Sequence, residues 1–166
     1  MSVTTYHTDT SPEFVSVADV NGDGSADIIT ADQTHTGIAV RLNNGDGTFA
    51  DAQAYAVQGT DPIAISVSDV SGDGKADVIT LDQFSDSVSV LINNGDGTFG
   101  SEKNYAIAGS SPKSVAVADV NGDGKADHVL SDSANGVNGP VEVMLNNGDG
   151  TFAAAQTYGI EGGQSN

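Results

Sequence analysis

The chain has 166 residues, a length that suits a single domain. Its 23 acidic residues outnumber five basic ones for a formal net charge of −18, so we expect neither nucleic-acid binding nor attraction to an anionic membrane surface. Cysteine is absent, which removes disulfides and thiolate metal sites. No apolar run approaches the ~20 residues of a membrane span, and we expect neither membrane insertion nor a signal peptide in residues 1–10.

Two sequence strings recur along the chain and define three copies of one unit. The first covers residues 19–27 and returns 50 and 100 residues later. The second covers residues 43–49 and returns after 50 and then 53 residues. The three extra residues fall in the Gly- and Asn-rich stretch 133–140, which predicts a lengthened loop.

In chain order, the repeat begins with a fragment. Residues 1–6 align with the end of a copy, because Tyr6 holds a position equivalent to later tyrosines, and we predict a partial outer strand there. Three full copies follow at about residues 11–57, 61–107 and 111–158.

Each copy carries four strand-like runs. In the second copy these are residues 63–67, 78–81, 88–92 and a run from 98–99 to 105–106. Their apolar alternation and β-branched residues favour strands, and no segment shows a helical period with caps. Four short strands at a period of about 50 residues predict an all-β fold made of β-propeller blades. A β-solenoid is the alternative, although its repeat is usually much shorter.

The first string forms an acidic loop between the first and second runs. Aspartates occupy its positions 1, 5 and 9, a polar side chain occupies position 3, and glycines at positions 4 and 6 allow a tight wrap. Calcium takes six to eight oxygen ligands, whereas magnesium demands a stricter octahedron, so we expect about three calcium ions per chain. The alternative is an Asp- and Gly-rich turn that binds nothing.

Position 7 of the loop would contribute its backbone carbonyl. Lysine can occupy this position because its side chain can point to solvent. In the middle copy, position 3 is Ser71, and its hydroxyl is a shorter and weaker ligand than an amide oxygen. We therefore predict that the middle site is the weaker one, or that it uses a water.

These loops, each followed by a strand and then by Asn-Asn-Gly-Asp-Gly-Thr-Phe, resemble FG-GAP/VCBS repeats over about residues 11–158. Such repeats form the blades of integrin α-subunit propellers and of many secreted bacterial and fungal proteins. The loop also resembles the start of an EF-hand loop, but the twelfth-position Glu and the flanking helices are missing. The resemblance implies an extracellular or secreted protein and the following calcium ligands: Asp19, Asn21, Asp23, Ser25 and Asp27; Asp69, Ser71, Asp73, Lys75 and Asp77; Asp119, Asn121, Asp123, Lys125 and Asp127.

The second string, named the hairpin string (residues 43–49, 93–99 and 146–152), predicts a hairpin turn, because Asn and Gly accept positive φ at little cost. We expect its phenylalanines, Phe49, Phe99 and Phe152, to pack between neighbouring blades. The alternative is that the aspartate of this string belongs to a second cation or ligand site.

Three blades do not close a ring, because propellers usually have about four to eight. We predict a two-fold homodimer with six blades, while a fragment of a longer propeller is the alternative explanation. Residues 1–6 and residues 151–158 are both copies of the outermost strand, and only one can fill each slot. We expect the C-terminal copy to close the ring, since it keeps Phe152.

We expect no enzymatic activity. The three histidines do not recur in the repeat, and we predict that His128 is a half-buried or edge side chain. The nucleophile-elbow and P-loop motifs are absent. The first functional hypothesis is a calcium-stabilised scaffold for protein interaction or adhesion. The alternative is a lectin that binds sugars between blades, although the chain has no tryptophan to stack on a sugar ring.

Overall fold

The computed structural model describes residues 5–6, 12–32, 37–133 and 139–159. These residues form three four-stranded antiparallel sheets, each a meander of consecutive strands. The first sheet, blade 1, contains β1 (Pro12–Ala18), β2 (Asp27–Asp32), β3 (Gly37–Arg41) and β4 (Gln53–Ala56). Blade 2 contains β5 (Pro62–Ser68), β6 (Asp77–Asp82), β7 (Ser87–Leu91) and β8 (Lys103–Ala106). Blade 3 contains β9 (Pro112–Ala118), β10 (Asp127–Asp132), β11 (Val141–Met144) and β12 (Gln156–Tyr158).

The fourth strand of each blade begins later than the sequence predicts. In blade 2 we expected it from residue 98, but β8 starts at Lys103. Phe99 forms only an isolated bridge with Asn93, and the Gly100 N–H then donates to the carbonyl of Ile92. The hairpin is therefore closed by its own bridge and hydrogen bond. Residues 100–102 then lie outside the β-ladder, and the chain pairs with β7 only from Lys103.

The blades stack face to face in a β-propeller-like arrangement. The first strands β1, β5 and β9 contact one another in turn, and β2 and β6 also contact the first strand of the following blade. Both faces of β6 and β7 are buried, because blade 2 lies between the other two. The apolar core consequently divides into two clusters, one at each interface between blades.

The interface of blades 1 and 2 is called the first junction, and its core residues are Val20, Ile29, Ile38, Val40, Val57, Val78, Leu91 and Phe99. The interface of blades 2 and 3 is the second junction, formed by Val70, Ile79, Leu81, Val88, Val90, Ile107, Leu130, Met144 and Phe152. Phe99 and Phe152 of the hairpin string are buried at these junctions, as predicted. Phe49 does not lie between two described blades: it is half-buried on the outer face of blade 1, against Tyr6.

His128 is more deeply buried than the half-buried or edge side chain that the sequence predicts. It is fully buried at the second junction, with its ring stacked 4.6 Å from that of Phe152. The equivalent residue of blade 2, Val78, faces the first junction, and the histidine simply inherits this inward position.

Two predictions fall largely outside the described residues: the partial outer strand at 1–6 and the lengthened loop at 133–140. Of the first, only residues 5–6 are described. Across the described ranges, no helix of the length and apolarity needed to cross a membrane is present.

Candidate calcium loops and inter-blade cleft

The first aspartate of each acidic loop binds the loop's own backbone. Asp19 accepts the Gly22 N–H at 2.7 Å on one oxygen and the Gly24 N–H at 2.8 Å on the other. Both glycines have positive φ, 77° and 85°, which is the conformation that aims these N–H groups inward. Asp69 and Asp119 repeat both bonds, and the glycine N–H groups hold the pKa of Asp119 below its usual value.

The fifth-position aspartates are exposed. Asp23 accepts the Asn21 side-chain amide at 2.9 Å and the Ser25 N–H at 2.7 Å, and these bonds, that of Asn21 first, lower its pKa. In the middle loop the side chain of Lys75, followed by its backbone N–H, lowers the pKa of Asp73. Asp23 and Asp73 are therefore anionic at neutral pH, and the fifth-position aspartates of all three loops are exposed to solvent.

The ninth-position aspartates are fully buried and tie the loop to the sheet. Asp27 accepts the Val20 N–H at 2.9 Å and the Asn43 N–H at 2.8 Å, one on each oxygen. Asp77 and Asp127 make the same pair of contacts. Burial raises the pKa of Asp77. This aspartate thus links the acidic loop to the start of the hairpin string, a structural role that its place in the sequence pattern did not reveal.

The donor set of each loop fits calcium by its chemistry, since it offers only oxygen ligands. Its three aspartates are not gathered around one point, however. Among the described residues no group of three His, Cys, Asp or Glu side chains is placed to hold a metal ion. A carboxylate oxygen that accepts one N–H, such as either oxygen of Asp19, retains a second lone pair that a cation can use. Asp77 Oδ2 and Asp119 Oδ1 each accept two N–H groups and are less available to a cation.

The lysine side chain at position 7 was expected to point to solvent, but its ammonium group lies close to the aspartate at position 5 of the same loop. The Lys75 Nζ lies 3.0 Å from Asp73, and the Lys125 Nζ lies 3.6 Å from Asp123. The first loop has Ser25 at this position and lacks this internal cation. The three loops are therefore electrostatically unequal.

A cleft of about 240 Å³ opens at the first junction, between the acidic loops of two blades. Asp19, Val20 and Gly22 of blade 1 form one wall. The other wall belongs to blade 2 and consists of Gly74, Lys75, Ala76, Asn93 and Gly95.

Asn93 fixes the shape of the cleft. Its Nδ2 donates to the Val20 carbonyl at 2.9 Å and to the Ala76 carbonyl at 3.0 Å, and its Oδ1 accepts the Gly95 N–H at 2.7 Å. This side chain therefore joins both walls. Asn is the first residue of every hairpin string, and this recurrence was the sequence signal for a shared role. The sequence alone did not show that the Asn93 side chain bridges two blades.

The aspartate of the hairpin string is used within the turn. The Asp46 carboxylate accepts both the N–H of Thr48 at 2.9 Å and its hydroxyl at 2.6 Å, and these bonds lower the pKa of Asp46, the hydroxyl first. Asp96 and Asp149 behave in the same way. These contacts confirm the predicted hairpin turns.

Three further acidic residues are buried, one at the first junction and two at the second. At the first, Asp82 accepts the hydroxyls of Thr80 at 2.9 Å and Ser89 at 2.6 Å. At the second, Asp132 and Glu142 converge on Gly109, where a Cβ would lie 1.7 Å and 2.6 Å from their oxygens. Asp132 Oδ1 and Glu142 Oε1 are buried without a hydrogen-bond partner in the described structure.

Comparisons with known proteins agree with this architecture. A family model described as an FG-GAP-like repeat matches residues 19–80 and 69–130. A solved structure described as the basis of specific recognition of non-reducing terminal N-acetylglucosamine by an Agrocybe aegerita lectin is similar, with a TM-score of 0.59 and 31% identity. The match covers 84% of this chain but only 36% of the lectin chain.

A structure of TcdB2-TccC3 without its hypervariable C-terminal region matches with a TM-score of 0.45 and 22% identity, over 92% of this chain and 7% of that one. No curated protein matches the sequence at a significant level.

Proposed function

Because the chain belongs to the FG-GAP-like repeat family, we propose that it is a calcium-stabilised carbohydrate-binding protein whose clefts between blades hold the sugar. The observation that carries this proposal is the polar cleft at the first junction, found in a chain that is 31% identical to an N-acetylglucosamine-binding lectin. The function is binding rather than catalysis. It takes place outside the cell, where FG-GAP repeats typically occur.

Hydrogen bonds would dominate sugar recognition in the cleft. Asp19 offers an acceptor and Lys75 a donor, which together suit hydroxyl groups that both donate and accept. The cleft lining contains no aromatic ring to stack on a sugar. We therefore expect weak binding at each cleft, with useful affinity arising when several clefts bind one branched or clustered glycan.

Calcium would be held by the first, third and fifth side chains of each loop and by the carbonyl at position 7, with the ninth aspartate beneath them. When bound, the ion would neutralise the carboxylates and fix the loop conformation. Loops 1 and 2 both contribute residues to the cleft, so calcium and sugar binding are expected to be coupled. We expect the middle loop to be the weakest site, because Ser71 is a poor ligand and the Lys75 ammonium already lies against Asp73.

A glycan array in the presence of calcium tests the proposal, with sugars that end in non-reducing N-acetylglucosamine included. The double variant Lys75→Ala/Lys125→Ala removes the donor from the cleft and from the equivalent position at the second junction, and binding should fall. Lys113→Ala is the control for the loss of a surface lysine, since it removes one positive charge, against two in the double variant, from an exposed position on β9. Equal binding by the native chain, the double variant and Lys113→Ala would mean that the sugar binds outside the cleft.

A calcium-stabilised scaffold for protein interaction is the second candidate. The lack of an aromatic ring in the cleft favours it, because sugar sites commonly use one. If no arrayed sugar binds while calcium still raises the melting temperature, the scaffold replaces the lectin.

A further inference from the structure

The two junctions share one set of contacts between blades. At the first, the Val20 carbonyl accepts the Gly97 N–H at 3.1 Å, and the Tyr55 hydroxyl donates to the Gly97 carbonyl at 3.2 Å. The Tyr55 ring also meets Phe99 edge-on at 5.2 Å. The second junction repeats these contacts with Val70, Gly150, Tyr105 and Phe152. Each blade therefore presents a valine carbonyl and a tyrosine to the next blade, which presents a glycine and a phenylalanine.

The two outer faces of the chain carry the two unmatched halves of this junction. On blade 1, Val15 and Val17 are 67% and 65% exposed, although their equivalents in β5 pack in the first junction. On blade 3, Val120 and Tyr158 are 49% and 53% exposed. Val120 and Tyr158 are the repeat equivalents of Val20 and Tyr55, the residues that blade 1 presents to blade 2.

We propose that a second copy of this chain covers both faces, so that blade 3 of each copy docks on blade 1 of the other. The internal junctions show what fits each face, namely the next blade of the same repeat. Two copies give six blades, which lies within the usual range for closed propellers, and a two-fold axis makes the two new junctions identical. Both copies are strongly acidic, so the assembly should be favoured by salt and by calcium in the loops.

Tyr6 competes for the new junction. In the single chain its ring lies 5.4 Å from Phe49 at an interplanar angle of 80°, the geometry that Tyr55 has against Phe99. This is the slot that Tyr158 of the second copy would occupy. Tyr158 is held by β12, which pairs with β11 over three residues, whereas no strand includes Tyr6. Docking therefore displaces Tyr6 and not Tyr158.

The new junction would also create a further cleft that neither copy holds alone. By repeat equivalence, Asp119 and Val120 of one copy would face Ser25 and Asn43 of the other. Ser25 replaces the cleft lysine there, so this cleft would be less cationic than the one at the first junction. The assignment of a sugar to it rests on the proposed function, but docking itself does not.

Sedimentation equilibrium of the 166-residue chain in calcium and moderate salt tests the docking without any sugar. We expect twice the 16.7 kDa chain mass. Val15→Glu/Val17→Glu should give a folded monomer, and Tyr158→Ala should weaken association about tenfold or more. Phe84→Glu, at another exposed apolar residue, should leave the dimer intact.

The variant Tyr6→Ala tests whether Tyr6 must leave its place beside Phe49 before a second copy can dock. We expect dimerisation to become about two- to tenfold tighter, because an edge-on aromatic pair no longer opposes it. Weaker dimerisation of this variant would overturn the displacement and make residues 1–6 the closing strand. A chain that is folded by circular dichroism and monomeric at all concentrations would overturn the docking, and the two faces would then belong to blades of another chain.

Discussion

Asp82 makes the protein less stable as the pH rises, which is the opposite of the effect of a carboxyl group whose pKa folding lowers. Burial at the first junction raises the pKa of this carboxyl to about 6 from 3.8, and the hydroxyls of Ser89 and Thr80 offset only part of that effect. Between these two values the folded chain binds more protons than the unfolded chain. Stability therefore falls as the pH rises through this window, and the loss is complete above about pH 6.

The size of the effect follows from the shift. One pKa unit corresponds to about 1.4 kcal/mol, so the ionised Asp82 lowers the free energy of unfolding by about 3 kcal/mol at high pH. At about pH 4 the same group lowers it by only about 0.5 kcal/mol. Asp82→Asn keeps the shape and the acceptor for Thr80 but never ionises. The variant should therefore gain about 2 kcal/mol over the native chain between about pH 4 and about pH 8.

Urea denaturation of both proteins at several pH values, in EDTA to keep the acidic loops free of cation, measures this difference. Asp51→Asn is the control, because it removes a carboxylate that is exposed. A stability difference between Asp82→Asn and the native chain that does not change with pH would show that Asp82 does not titrate with a raised pKa in the folded protein. A variant that is less stable at about pH 8 would show that the Ser89 hydrogen bond outweighs desolvation.

Four other substitutions test three buried side chains and one exposed aspartate of the first acidic loop. His128→Val should raise the free energy of unfolding by about 1 kcal/mol in calorimetry, because both ring nitrogens are buried without a partner in the described structure; a loss would mean that stacking on the neighbouring phenylalanine dominates. Glu142→Gln should stabilise by about 1–2 kcal/mol in urea titrations, since its amide can donate to Asp132 across Gly109; unchanged stability would contradict that contact. Asp23→Asn should weaken calcium binding in titration calorimetry with little change in EDTA, whereas Asp27→Asn should lose about 1–3 kcal/mol even in EDTA.

The strand pattern and the period could be predicted from sequence because they depend on local signals. Alternating β-branched residues and repeated Asn-Gly-Asp-Gly turns identified all four strands of blade 2, but not where β8 begins. That boundary depends on the Gly100 N–H, which closes the hairpin on Ile92 and keeps the next residues out of the ladder.

The roles of individual polar residues could not be predicted in the same way, because they depend on contacts between blades. Asp27 looked like any other carboxylate of the loop, yet its burial and its two backbone N–H bonds make it a link to the hairpin string. Asn93 looked like a turn residue, and only the stacking of blades places it across the cleft. His128 looked like an edge residue, since the sequence does not show that blade 2 covers that face.

The proposed coupling of calcium and sugar binding is tested by binding of a clustered glycan with terminal non-reducing N-acetylglucosamine, measured by surface plasmon resonance first in millimolar calcium and then in EDTA. The proposed coupling of acidic loops and cleft predicts binding in calcium, its loss in EDTA and its return when calcium is restored. Equal binding in both conditions would contradict the coupling, and no binding to this or any other sugar in calcium would contradict carbohydrate recognition itself.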